Sequence, residues 1–214
     1  MRKWIPALLV IIAVAASAAL YPTLPERVAT HWDMTGQPNG WSSRFWGAWM
    51  IPLIMAVIWP LMRLLPHIDP HRANYVKFAG MYEALIILTL AFMLGLHIML
   101  LMAATGTRIP TQRVVMTGVG LFFVAIGLML PRVHPNWFVG IRTPWTLSSE
   151  LSWERTHKAG GPLFAAVGAL TVLTSIIAPT ASVWVLAVSA TALVVFLFVY
   201  SYRVWKTDPG RRSG

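Results

Sequence analysis

Several groups of residues in this chain have the types and spacing to do chemistry. Glu154 and His157 form a Glu-x-x-His pair, the spacing used in carboxylate-bridged di-metal bundles, and Glu150 one turn earlier adds a third oxygen donor. A dinuclear centre needs a second such motif, and the chain has none. A single metal needs outer groups that orient each ligand. Arg142 offers the carboxylates a different use, an ion pair with Glu150 or Glu154 that fastens a helix. Glu83 and His97 lie fourteen positions apart in an apolar run, which at 100° per residue returns them to one helix face beside Ile87, Leu90 and Leu94. Ionisable groups in such a run mark an ion or proton path, unless Glu83 pairs with an arginine and His97 packs as a neutral ring. His67, Asp69 and His71 alternate as chelators do, but Pro66 and Pro70 split them. His31, Trp32, Asp33 and Trp41 combine indole faces with a titratable ring, which suits recognition of a peptide. Equally, the tryptophans suit anchoring at an interface, with His31 capping a turn.

The elements that hold these residues are apolar. Hydrophobic residues make up 57% of the chain and charged ones 11%, against about 25% charged in soluble domains. Apolar runs at 4–20, 47–65, 78–103, 114–130, 163–178 and 182–202 each approach the ~17–25 residues that cross a bilayer. None alternates as a barrel strand does, so six helices are predicted. The first run, behind Arg2 and Lys3 and followed by small residues near Ala16, Ser17 and Ala18, imitates a secretory signal but is long for one, and is read as the first span. Pro52 and Pro60 in the second run can kink a helix if neighbours satisfy the freed carbonyls. Gly118, Gly120, Gly127, Gly161 and Gly168 suit close helix packing.

Charge sets an orientation. The net charge of +10 is spread between apolar runs and not gathered on one basic face, so lipid explains it better than direct nucleic-acid binding. Placing both termini in the cytoplasm puts thirteen of the 17 Lys and Arg residues inside. The 21–46 loop then faces outward, with Asn39–Gly40 as a tight-turn signal. The basic tail from Arg203 lies on anionic headgroups. Without cysteines, thiolate sites and disulfides are excluded. No nucleophile elbow, phosphate loop, dinucleotide fingerprint or His-Glu-x-x-His motif is present, so neither enzyme chemistry nor a cofactor is expected.

The polar stretch 131–161 interrupts the second half. Trp137, Phe138, Trp145 and Trp153 read as interfacial anchors, Gly140 and Pro144 as turn residues, and 147–158 as a short amphipathic helix lying on the surface between the fourth and fifth spans. Leu24-Pro25-Glu26-Arg27-Val28 is echoed by Leu130-Pro131-Arg132-Val133 after the first span of each three-span half, a pattern an inverted repeat would leave. Asn136, Trp137, Phe138, Gly140, Ile141, Arg142, Thr143, Pro144, Trp145, Thr146 and Leu147, then Trp153, Thr156, His157 and Gly160, resemble the signature of the SdpI family of bacterial membrane proteins. Upstream, Leu24, Pro25, His31, Trp32, Gly36, Gly40 and Trp41 are similar to domain of unknown function 1648.

The resemblance implies a multi-pass protein of the inner (cytoplasmic) membrane whose best-known relatives give immunity to a secreted peptide toxin. It also implies a signalling role, in which a small cytoplasmic repressor is held at the membrane when toxin is sensed. On this reading residues 1–65 form the part similar to the domain of unknown function and 66–214 the SdpI-like part. The 31–41 loop meets the peptide, and the signature carries stability or docks a partner through Arg142, Trp145, Trp153 and His157. The alternative function is a small transporter or proton-coupled channel that uses Glu83 and His97.

Overall fold

The computed structural model describes residues 4–211; Arg2, Lys3 and Arg212 of the charge count lie outside the described residues. Among those described, six helices are long and apolar enough to cross a membrane. They are α1 (Ile5–Leu20), α2 (Arg44–Ile68), α3 (Ala79–Ala104), α4 (Thr111–Met129), α6 (Glu150–Ile177) and α7 (Pro179–Thr207), with a five-residue α5 (Pro144–Ser148) before α6. An antiparallel hairpin of β1 (Arg27–Trp32) and β2 (Pro38–Ser43) joins α1 to α2. Helix α1 packs on α3 and α2, while α4 packs most closely on α6, and α6 on α7.

The spans explain their own irregularities. Helix α2 runs through Pro52, Pro60 and Pro66, and a proline leaves the carbonyl four residues earlier without its helical donor. For Pro52 that carbonyl is Ala48 O, which accepts the Ser17 hydroxyl at 2.6 Å. For Pro66 it is Met62 O, which accepts the Tyr82 hydroxyl. Neighbouring helices α1 and α3 thus supply donors to the carbonyls freed by Pro52 and Pro66. On the α4–α6 contact a Cβ at Gly120 would come within 2.7 Å of Gly168 O, and one at Gly127 within 2.6 Å of Gly161 O, so glycines set this close approach.

Two expectations are corrected. The fifth span begins at Glu150 rather than near 163, and no separate surface helix covers 147–158: the polar residues are the first turns of α6 itself. Ser149 separates it from α5 and caps it, its hydroxyl accepting Ser152 N–H. The hairpin turns at Asp33–Gln37 and not at Asn39–Gly40, which lie in β2. One oxygen, Asp33 Oδ1, accepts Thr35 N–H, Thr35 hydroxyl and Gln37 N–H, and this organises the reversal. Gly40 is needed opposite His31, where a Cβ would come within 2.9 Å of the His31 Cβ.

The echoed segments differ in place: Leu24–Val28 follows the 3-10 turn Tyr21–Thr23, whereas Leu130–Arg132 is itself the 3-10 turn and Val133 follows it. Each ends on a buried valine set against the fourth residue of the next long helix: Val28 packs on Gly47 of α2, and Val133 O accepts Trp153 Nε1–H of α6.

Candidate functional site

The signature residues fold into a clamp over the start of α6. Asn136, 1% exposed, is the hub of the 133–143 loop. Its Oδ1 accepts Phe138 N–H and Val139 N–H at 2.9 and 2.6 Å, and its Nδ2 donates to His134 O and Val139 O, both at 2.9 Å. A carboxylate from the other half of the chain holds this loop down. Asp69, 2% exposed just beyond α2, accepts Trp137 N–H and Tyr75 hydroxyl at its Oδ2, both at 2.9 Å, and His71 N–H at its Oδ1 at 2.7 Å. Asn74 Nδ2 adds a bond to Pro135 O. Asp69 is therefore committed inward, and with His67, whose ring Nδ1 lies 3.1 Å from Arg63 O, it forms no chelating set with His71.

His157 is the second fixed point. Its Nδ1 faces Trp153 O at 2.8 Å, which requires N–H there, so Nε2 carries the lone pair and accepts Ile141 N–H at 2.9 Å. The ring is neutral, 1% exposed and stacked on Trp153 at 4.2 Å between centroids. Gly140, at φ +112°, lets the loop pass against Nε2; a Cβ would overlap that atom. Gly160 likewise leaves room for the Ile141 side chain. With both ring nitrogens engaged, His157 is no ligand for a metal, although Glu150, Glu154 and His157 do border one cavity as their spacing predicts.

The end of the loop is tied to α7. Thr143 caps α5 through a reciprocal pair with Thr146 and donates to Ser201 Oγ at 3.0 Å, while Ser152 Oγ donates to Ser201 O at 2.9 Å. Trp145 packs between Phe198 and Tyr202. Arg142 forms no ion pair with Glu150 or Glu154; its guanidinium donates to Trp137 O at 2.7 Å. Trp153 is core rather than interfacial, and of the four residues expected to dock a partner Trp153 and His157 are buried, Trp145 is half-buried and Arg142 is exposed.

Ser149 hydroxyl donates to Asp208 Oδ2 at 2.5 Å, and Gly210 N–H donates to Oδ1. These bonds, Ser149's foremost, hold the Asp208 carboxyl below its ordinary 3.8. A depressed carboxyl keeps its contribution above the unfolded value and loses it as pH falls through the folded one. The Gly210 amide shift in micelles is therefore expected to titrate with a midpoint below 3.8. Ser149→Ala should move that midpoint upward.

Elsewhere, the hairpin exposes His31 and Trp41. His31 Nδ1 lies 2.5 Å from Asn39 Oδ1, and Arg27 sits over the Trp41 ring at 5.9 Å. Trp32, half-buried, and Asp33 border a cavity of about 320 Å³ between the hairpin and the starts of α4 and α7. In the bundle Glu83 pairs with Arg63 at 2.8 Å. His97, fully buried, donates from Nε2 to Ser17 Oγ at 2.8 Å and so belongs to the Pro52 carbonyl network. Leu90, fully buried, and Ile87 and Leu94, half-buried, lie on α3 between Glu83 and His97, so the stripe that a proton path would follow carries apolar side chains.

Residues 8–56 match domain of unknown function 1648, and residues 132–201 match the SdpI/YfhL protein family, a region that holds the clamp from Val133 to Ser201. The immunity protein SdpI of Bacillus subtilis (strain 168) is 22% identical over 211 residues, 99% of either chain. No solved structure matches. With its six membrane-length helices and its signature closed over the start of α6, the chain is a multi-pass membrane protein whose residues 132–201 match the SdpI/YfhL protein family.

Proposed function

We propose that this protein protects the cytoplasmic membrane of its cell against a secreted, membrane-active peptide toxin, and does so without enzyme chemistry. The observation that carries this reading is the match to an immunity protein along 99% of both chains, an alignment long enough to include hairpin, spans and signature. Both termini lie in the cytoplasm, as the arginine and lysine distribution favours, and the hairpin faces outward. There His31, Trp32 and Trp41 offer the amphipathic surface on which a peptide of apolar and aromatic side chains binds. The clamp faces the cytoplasm and sets Trp137, 50% exposed, beside Arg142 as the docking surface for a small repressor.

The test is survival and membrane depolarisation of toxin-sensitive cells with and without the protein, challenged with peptide secreted by its own source or a close neighbour. Protection at equal expression is the expected result. Trp41→Ala and His31→Ala, both on exposed side chains, should each lower it about tenfold, as loss of a contact worth ~1.4 kcal/mol does. An absence of protection against several such peptides overturns the reading.

A further inference from the structure

A second cavity, of about 330 Å³, opens where three span ends meet. Helix α3 begins on this face behind the 3-10 segment Arg72–Phe78, α4 ends on it with the turn Leu130–Arg132, and α6 begins on it. Whichever way the protein lies, this mouth is at the headgroup level of the bilayer. Its lining is of both signs. Lys77 and Arg132 come from the first two elements, and Glu150 and Glu154, one turn apart, from α6. All four side chains belong to exposed residues. None is within ion-pair distance of an opposite charge, because Arg63–Glu83 is the sole salt bridge among the described residues. Arg132 uses one nitrogen on Leu128 O, which leaves the rest of its guanidinium free to donate. Asn74 uses its amide nitrogen on Pro135 O and keeps its carbonyl oxygen as an acceptor in the same cavity.

Two unpaired cations and two unpaired carboxylates in one interfacial cavity complement a ligand that carries an anion and a cation together. We propose that this cavity binds a phosphoethanolamine group, with the phosphate on Lys77 and Arg132 and the primary ammonium on Glu150, Glu154 and the Asn74 carbonyl. A primary ammonium brings three N–H donors to those oxygens, whereas the quaternary ammonium of a choline headgroup brings none. An anionic headgroup without an amine satisfies the cations but leaves the carboxylates facing like charge.

The full chain, reconstituted with equal amounts of phosphatidylethanolamine, phosphatidylcholine and phosphatidylglycerol of the same acyl chains, reads this out by native mass spectrometry of the retained lipid. Retention of phosphatidylethanolamine over either competitor by about tenfold is expected, the discrimination given by one charge-assisted hydrogen bond. Glu150→Gln with Glu154→Gln should shift retention toward phosphatidylglycerol, while Lys77→Gln with Arg132→Gln should lower retention of both lipids. These opposite changes distinguish a site from general loss of fold. Displacement by soluble glycerophosphoethanolamine identifies the headgroup alone as sufficient; persistence of the lipid against it identifies a lipid-anchored ligand, and both results support the site. Equal retention of the three lipids by the parent, or an unchanged preference in the Glu150/Glu154 variant, overturns it.

Discussion

Gly140→Ala is expected to destabilise the protein by about 2 to 6 kcal/mol, the sum of two costs that meet at one atom. The backbone there has φ +112°, where an L side chain carries strain of roughly 1–3 kcal/mol. The new methyl also overlaps His157 Nε2. That ring cannot retreat freely, because it is stacked on Trp153 and its Nδ1 is bound to Trp153 O. If it moves, Ile141 N–H loses its acceptor in a closed environment, a further cost of about 1–3 kcal/mol. Unfolding in detergent measures the effect against Gly95→Ala, where nothing lies within 4 Å of the new methyl and helix propensity favours alanine. The pair Gly140→Ala, His157→Ala separates the two costs: with the ring gone the overlap vanishes, so the double variant should lose less than the sum of the singles. Strictly additive losses would rule out contact between the two positions as the cause.

The same loop shows what a sequence can and cannot display. Apolar runs of membrane length located all six spans, since length and hydropathy are local properties. The start of α6 was not legible in the same way. Glu150, Ser152, Glu154, Arg155, His157 and Lys158 end the apolar run, yet the helix continues because Ser152, Trp153, Thr156, His157 and Gly160 are buried inside the protein while Glu154, Arg155 and Lys158 face out. Arg142 was expected on a carboxylate and instead holds the Trp137 carbonyl, an acceptor that every residue possesses and no composition reveals. In the hairpin, Asn39–Gly40 is a true turn dipeptide by propensity, but three bonds to a single Asp33 oxygen fix the reversal earlier. Tyr75, Ser201 and Asp208 gave no signal at all, and Asp69 only a misleading one as a chelator, because each is defined by partners far away in the chain.

Asp69 carries the second large effect. Two opposing terms decide what its replacement does. Burying a carboxylate without a cation costs several kcal/mol in desolvation, and an amide would relieve that. Against this, the two oxygens receive three donors, Trp137 N–H, Tyr75 hydroxyl and His71 N–H, and bonds to a charged acceptor contribute about 1.5–3 kcal/mol each. Asparagine keeps one acceptor oxygen. Placed toward Trp137 and Tyr75, it turns its NH₂ on His71 N–H; flipped, it turns the NH₂ on two donors. Either way a buried donor faces a donor, so Asp69→Asn should destabilise by about 2–4 kcal/mol and Asp69→Ala by at least as much. Tyr75→Phe removes one donor and is expected to cost only about 1 kcal/mol. In the Asp69→Ala background Tyr75→Phe should cost less still, because its hydroxyl has already lost this acceptor there. The measurements are the unfolding midpoint and the emission of Trp137, whose amide the carboxylate fixes while its indole stays exposed. An Asp69→Asn protein as stable as the parent would show that desolvation outweighs the three bonds. A destabilised one with Trp137 emission moved identifies Asp69 as the latch by which the first half of the chain shapes the signature of the second.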